Sequence, residues 1–134
     1  MTVRSERSAR WAQGMIAAPF LILGSWCLFF PGQVEALGFL PEHYIGTQAS
    51  RILMGCFGAQ AILSGIFATF SRFTRATFLA YGLALLPFFW FNAQFTLIEP
   101  VFSRLMLIDF LANVVMLGFC MVGWWALSPC KTNR

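Results

Sequence analysis

The chain has 134 residues, 59% of them hydrophobic and only 10% charged, with a net charge of +4 and a mean hydropathy of +0.73. A soluble domain carries about a quarter of its residues as charges, so this composition excludes a water-facing surface, and the length suits a single domain. The nine Lys and Arg stand at the chain ends and in short loops rather than on a basic face interleaved with aromatics, which argues against nucleic-acid binding.

Four apolar runs organise the chain. The first covers 14–30 and follows Arg4, Arg7 and Arg10, a pattern that imitates a signal peptide. The run is longer than a signal h-region and no A-x-A cleavage site follows it, so it is expected to stay as a helix over about 12–30. The outer loop 31–49 carries Pro31, Gly32, Gly38, Pro41 and Gly46. Its apolar Val34, Leu37, Phe39 and Leu40 suggest a segment lying on the membrane surface.

The second run, 52–70, predicts a helix over 50–70. Arg51, Gly55, Gly58, Ala61, Gly65 and Ala68 recur at spacings of three and four, so they share one face. Small residues let another backbone approach closely, which marks Gly55, Gly58, Ala61, Gly65 and Ala68 as packing positions and this helix as the expected centre of the bundle. The short inner loop 71–75 predicts that helices two and three are antiparallel neighbours.

The third run, 76–95, predicts a helix over 76–96, and the fourth, 105–127, a helix over 104–127. Each is close to the roughly 20 residues that cross a bilayer core, and continuous runs exclude a β-barrel of alternating strands. The expected architecture is an all-α, four-helix transmembrane bundle in one membrane domain, 1–134, with the lipid bilayer as its main partner. Pro19 and Pro87 fall inside helices one and three, where each removes a backbone hydrogen bond.

Lys and Arg set the orientation. With the N-terminus inside, the inner segments hold Arg4, Arg7, Arg10, Arg72, Arg75, Lys131 and Arg134, against Arg51 and Arg104 outside. Trp11, Trp124 and Trp125 then mark the inner interface, and Trp26, Tyr44 and Trp90 the outer one.

The polar residues of the runs gather towards the outer half. Asp109 lies about 7 Å into helix four, Asn113 and Gln60 about 13 Å deep, and Asn92 about 6 Å below the outer end of helix three. With Arg51 at the mouth of helix two, these five form a candidate intramembrane polar cluster. An ionised Asp facing lipid is expensive, so an Arg51–Asp109 ion pair is expected, with the amides tying helix to helix.

No catalytic residue, cofactor site or metal site emerges. Cys27, Cys56, Cys120 and Cys130 form no C-x-x-C pair, and the only histidine is His43. A cysteine/histidine zinc site is therefore discounted, and a bis-histidine haem site lacks its ligands. Cys130, just past the last helix, is a weak candidate for acylation. Helix one has no carboxylate, unlike the small multidrug transporters.

The stretch F-F-P-G-Q-V-E-A-L-G-F-L at 29–40, with G-T-Q-A-S-R-I-L-M-G-C-F-G-A-Q-A-I-L-S-G at 46–65, resembles small bacterial four-helix membrane proteins of unknown function, loosely DoxX-like. The shared features are a first helix ending at Pro, a Leu-Gly in the first loop and an Arg opening a Gly/Ala-rich second helix. The resemblance implies a bacterial inner-membrane protein without an assigned activity. The resulting expectation is an accessory or structural membrane protein, a homo-oligomer or a subunit of a larger complex, with a small transporter or channel as the alternative.

Overall fold

The computed structural model describes residues 3–128, with side chains from Ser5 onward; Cys130, Lys131 and Arg134 lie outside the described residues. The described chain is all-α: α1 (Val3–Phe29), α2 (Pro31–Gly38), α3 (Gln48–Phe70), α4 (Arg75–Ala93) and α5 (Leu107–Ala126). Four segments are long and apolar enough to cross a membrane, Ser5–Phe29, Gln48–Phe70, Arg75–Ile98 and Arg104–Ala126. Large apolar side chains turn outward along all four, among them Leu53, Phe70, Leu83 and Leu111. Acyl chains solvate such a surface and water does not. The protein is an integral membrane bundle.

The helix ends follow local chemistry. Thr47 caps α3 by accepting from the Ser50 N–H, and Thr74 and Thr77 cap the start of α4 reciprocally. Gln13 of α1 donates to the carbonyls of Ala68 (2.7 Å) and Ser71 (2.7 Å), closing the last turn of α3, whose final carbonyls have no partner within the helix. Ser5 likewise donates to the Ala126 carbonyl at the end of α5. α1 thus begins at Val3 rather than near residue 12. Its first turns pack against the neighbouring helices, with Ala9 and Ala12 buried. Past Ala93, α4 runs into a π-helical turn, Gln94–Ile98, and α5 is entered through a 3₁₀ turn, Arg104–Met106.

The spatial order of the spans is α3, α1, α5, α4, with α1 packed on both α3 and α5. This corrects two expectations. Helices two and three of the sequence, α3 and α4, are joined by the short turn 71–74 but do not pack face to face. The inner helices are α1 and α5, not α3. A short loop fixes only that two helix ends meet; which faces then pack depends on where small side chains permit contact.

The small face of α3 is indeed packed, and its partner is α1. A methyl group on Gly58 would stand 2.5 Å from the Leu28 nitrogen and 2.6 Å from the Gly24 oxygen. One on Gly24 would meet the Ala61 Cβ at 2.9 Å, and one on Gly65 the Leu21 side chain at 2.8 Å. Gly58, Gly65 and Ala68 are buried. Gly55 is the exception, since a methyl group there meets no described atom within 4 Å; it lies beyond the α1 contact. On the other side of α1, Phe78 of α4 is fully buried against Gly123 of α5.

Residues 31–38 of the first loop form α2, which packs on α3 and buries Val34, Glu35 and Gly38 while leaving Leu37 exposed. The loop is stitched to the α4–α5 connection. Leu40 N–H donates to Val101 O (2.9 Å), Ser103 N–H to Gly38 O (2.8 Å), and Phe39 and Phe102 form an isolated β-bridge. Phe39, Phe91, Phe95 and Phe102 gather around it: Phe39–Phe102, Phe91–Phe95 and Phe95–Phe102 meet edge to face, a geometry that aromatic quadrupoles favour, and Phe91–Phe102 is tilted. Two connections that each look exposed in sequence thus form one cap.

Candidate functional site: an intramembrane carboxylate beside a lateral cleft

Because α3 and α4 do not pack together, a cleft remains between them, backed by α1 and α5. It holds a cavity of about 170 Å³, walled by Phe57, Gln60 and Ser64 of α3, Leu85 and Phe88 of α4, Pro19 and Phe20 of α1, and Asp109 and Asn113 of α5. Phe57, Gln60 and Phe88 are exposed, so the cleft opens sideways, towards the acyl chains.

Asp109 stands at the cap end of this cleft, in the first turn of α5. Its Oδ2 accepts from Asn92 Nδ2 (2.9 Å) and from Asn113 Nδ2 (3.2 Å). Asn92 and Asn113 are 3% and 6% exposed, so the two amides are committed behind the carboxylate. Asn113 is one turn along α5 from Asp109 and shares its face; Asn92 reaches across from α4. The other oxygen, Oδ1, takes no hydrogen bond from the described residues and keeps accessible surface.

Of the five residues expected to cluster, Asn92, Asp109 and Asn113 are hydrogen-bonded together. Gln60 lies on the opposite wall of the same cavity. Arg51 does not join them. It is exposed, and its guanidinium lies over Gly32 of α2, where a methyl group would meet Arg51 Nε at 3.5 Å. Among the described residues no ion pair joins Arg51 to Asp109. The expectation rested on similar depth, whereas Arg51 turns towards α2 and Asp109 towards Asn92 and Asn113.

A second carboxylate, Glu35 of α2, meets the start of α3 at Ser50. It is 2% exposed. Its Oε1 accepts from the Gly46 N–H (2.8 Å) and the Ser50 hydroxyl (2.9 Å), while Oε2 is buried without a hydrogen-bond partner among the described residues. Gly46 holds φ +65, a left-handed conformation suited to glycine. Glu35 thus pins the end of the first loop to the start of α3. Its sequence signal is faint: one acid flanked by Val34 and Ala36 in an otherwise apolar segment. Replacing Glu35 with Ala should leave the Gly46 N–H unpaired, while the Ser50 hydroxyl keeps the Thr47 carbonyl (2.8 Å) as its acceptor, and destabilise the cap by about 1–3 kcal/mol. Faster amide exchange at Gly46 is the expected readout, and unchanged exchange would show that the carboxylate is dispensable there.

Cys27 and Cys120 are buried free thiols and Cys56 is an exposed one. Among the described residues no three His, Cys, Asp or Glu side chains converge. The chemistry on offer in the cleft is one carboxylate with a free oxygen, oriented by amides and surrounded by phenylalanines. No protein-family model, no curated protein and no solved structure matches this chain.

Proposed function

We propose that the protein is a small transport protein, in which Asp109 accepts a small cation or protonated amine entering the cleft between α3 and α4. The observation that carries this reading is the carboxylate itself: a half-buried Asp held by two amides on the wall of a cavity, with no ion pair among the described residues. An ionisable group within a span is stabilised by a partner of opposite charge, and here the protein supplies none among the described residues. A cavity of about 170 Å³ has room for roughly five waters at about 30 Å³ each. Phe20, Phe57 and Phe88 add ring faces that attract organic cations. Methylammonium uptake into proteoliposomes, wild type against Asp109→Asn, tests the reading. Uptake no faster than in protein-free vesicles would remove it.

A second reading, an accessory subunit of a membrane complex, is favoured by Gln60. This amide is exposed on the mid-section of α3, where a partner helix would satisfy it better than acyl chains do. A protein that co-purifies from native membranes in mild detergent and is lost in Gln60→Leu would support this alternative.

We further propose a bacterial inner membrane with both termini cytoplasmic. The support is the distribution of Lys and Arg, seven on the side of the termini against two on the cap side. Reporter fusions should give cytoplasmic activity at Arg134 and periplasmic activity within the 39–47 loop. The opposite pattern would invert the assignment.

A further inference from the structure

A second and larger cavity, about 880 Å³, lies at the other end of the bundle, between the first turns of α1 and the 71–74 turn that leads into α4. Arg10, Arg72 and Arg75 line it, with Gln13, Ser71 and Thr74. Glu6 is the one carboxylate on its wall, one helical turn before Arg10 on the same face, so positive charge remains in surplus. Arg75 is held in place by its ring contact, the guanidinium 3.8 Å from the centre of the Trp124 indole. Its Nε is nevertheless buried without a hydrogen-bond partner among the described residues. A buried charged donor without an acceptor is rare in a folded protein. The cavity also faces the start of α4, where the helix dipole is positive.

Depth and size narrow the ligand. Trp11, Trp124 and Trp125 stand at this end of the bundle, and indoles settle at the level of lipid headgroups. The volume belongs to the range that takes molecules of many atoms, far more than a bare ion needs. Exposed Phe70 and partly buried Leu127 on the wall give an apolar surface for the first methylenes of an acyl chain. We propose that this cavity seats the phosphate group of an anionic phospholipid, with Arg10, Arg72 and Arg75 as its cationic wall. The site is separate from the Asp109 cleft and independent of the transport reading.

The test uses the full chain in mild detergent, with native mass spectrometry reading retained phosphatidylglycerol against phosphatidylcholine, and inorganic phosphate as competitor. Wild type should retain phosphatidylglycerol preferentially, and inorganic phosphate at equal concentration should not displace it. Arg72 is exposed, so Arg72→Gln should leave lipid-free melting unchanged. It should weaken phosphatidylglycerol retention about tenfold, the size of one charge-assisted hydrogen bond. Arg7→Gln is the control: the same charge loss at the same end, on an exposed residue outside the cavity wall, with retention expected unchanged. Equal retention of the two lipids, or equal loss in both variants, would reduce the effect to general surface attraction and overturn the proposal. Displacement by inorganic phosphate would overturn the lipid assignment in favour of the free ion.

Discussion

Gly58→Leu should give the largest loss of stability of any single replacement on α3. The Gly58 Cα faces the backbone of α1, and an added Cβ would lie 2.5 Å from the Leu28 nitrogen, 2.6 Å from the Gly24 oxygen and 2.9 Å from the Cys27 carbonyl carbon. Backbone cannot swing aside as a side chain can, so the two helices must separate along their whole contact. Overpacking a tight interface typically costs about 1–3 kcal/mol and sometimes more. Even Gly58→Ala should therefore lower the melting temperature in detergent, although alanine is the better helix former by about 1 kcal/mol. Gly55→Ala, one turn away with open space around it, should be neutral or mildly stabilising. Gly65→Ala should fall between them, because its nearest obstacle is the Leu21 side chain. Equal melting of Gly58→Leu and wild type would mean that this face of α3 does not touch α1.

Asp109→Asn should abolish cation uptake while leaving the bundle folded. The asparagine carbonyl can accept from both Asn92 and Asn113, as Oδ2 does now, so the hydrogen bonds survive and only the charge is lost. Asp109→Leu should abolish uptake and also destabilise, because two buried amides lose their acceptor. Of the two, only the bond from Asn92 joins different helices; an interhelical hydrogen bond in a membrane is worth about 0.6–2 kcal/mol, which sets the least loss expected. Arg51→Gln combined with Asp109→Asn should be additive within about 0.5 kcal/mol, as for sites without shared partners. If Asp109→Asn instead unfolds the protein and Arg51→Gln restores it, the two residues are an ion pair after all. If a folded Asp109→Asn still takes up methylammonium at the wild-type rate, the cleft is not the route.

Much of this protein is legible in the chain itself because hydropathy acts locally. Each span needs about 20 apolar residues whatever its neighbours are, so the four runs and the all-α class followed directly from the chain. The small face of α3 was legible for a related reason: helical periodicity places Gly58, Ala61, Gly65 and Ala68 together regardless of what they meet. Asn92, Asp109 and Asn113 could be grouped by depth alone, since rise per residue is constant in a helix.

What periodicity and depth do not encode is the azimuth of one helix about another. That was decided only in three dimensions. The clash-free approach of Gly24 to Gly58 and Gly65 to Leu21 sets α3 against α1, and Phe78 seated on Gly123 sets α4 against α5. Those two contacts leave α3 and α4 apart despite their short connection, and the gap between them becomes the Asp109 cleft. The same packing turns Arg51 towards Gly32 of α2 rather than Asp109 and brings the first loop down onto α3, where Glu35 finds Gly46 and Ser50. Sequence by itself determined which segments enter the membrane and which residues share a helix face. Tertiary structure decided which faces meet, because steric fit between helices depends on pairs of surfaces that no single segment contains.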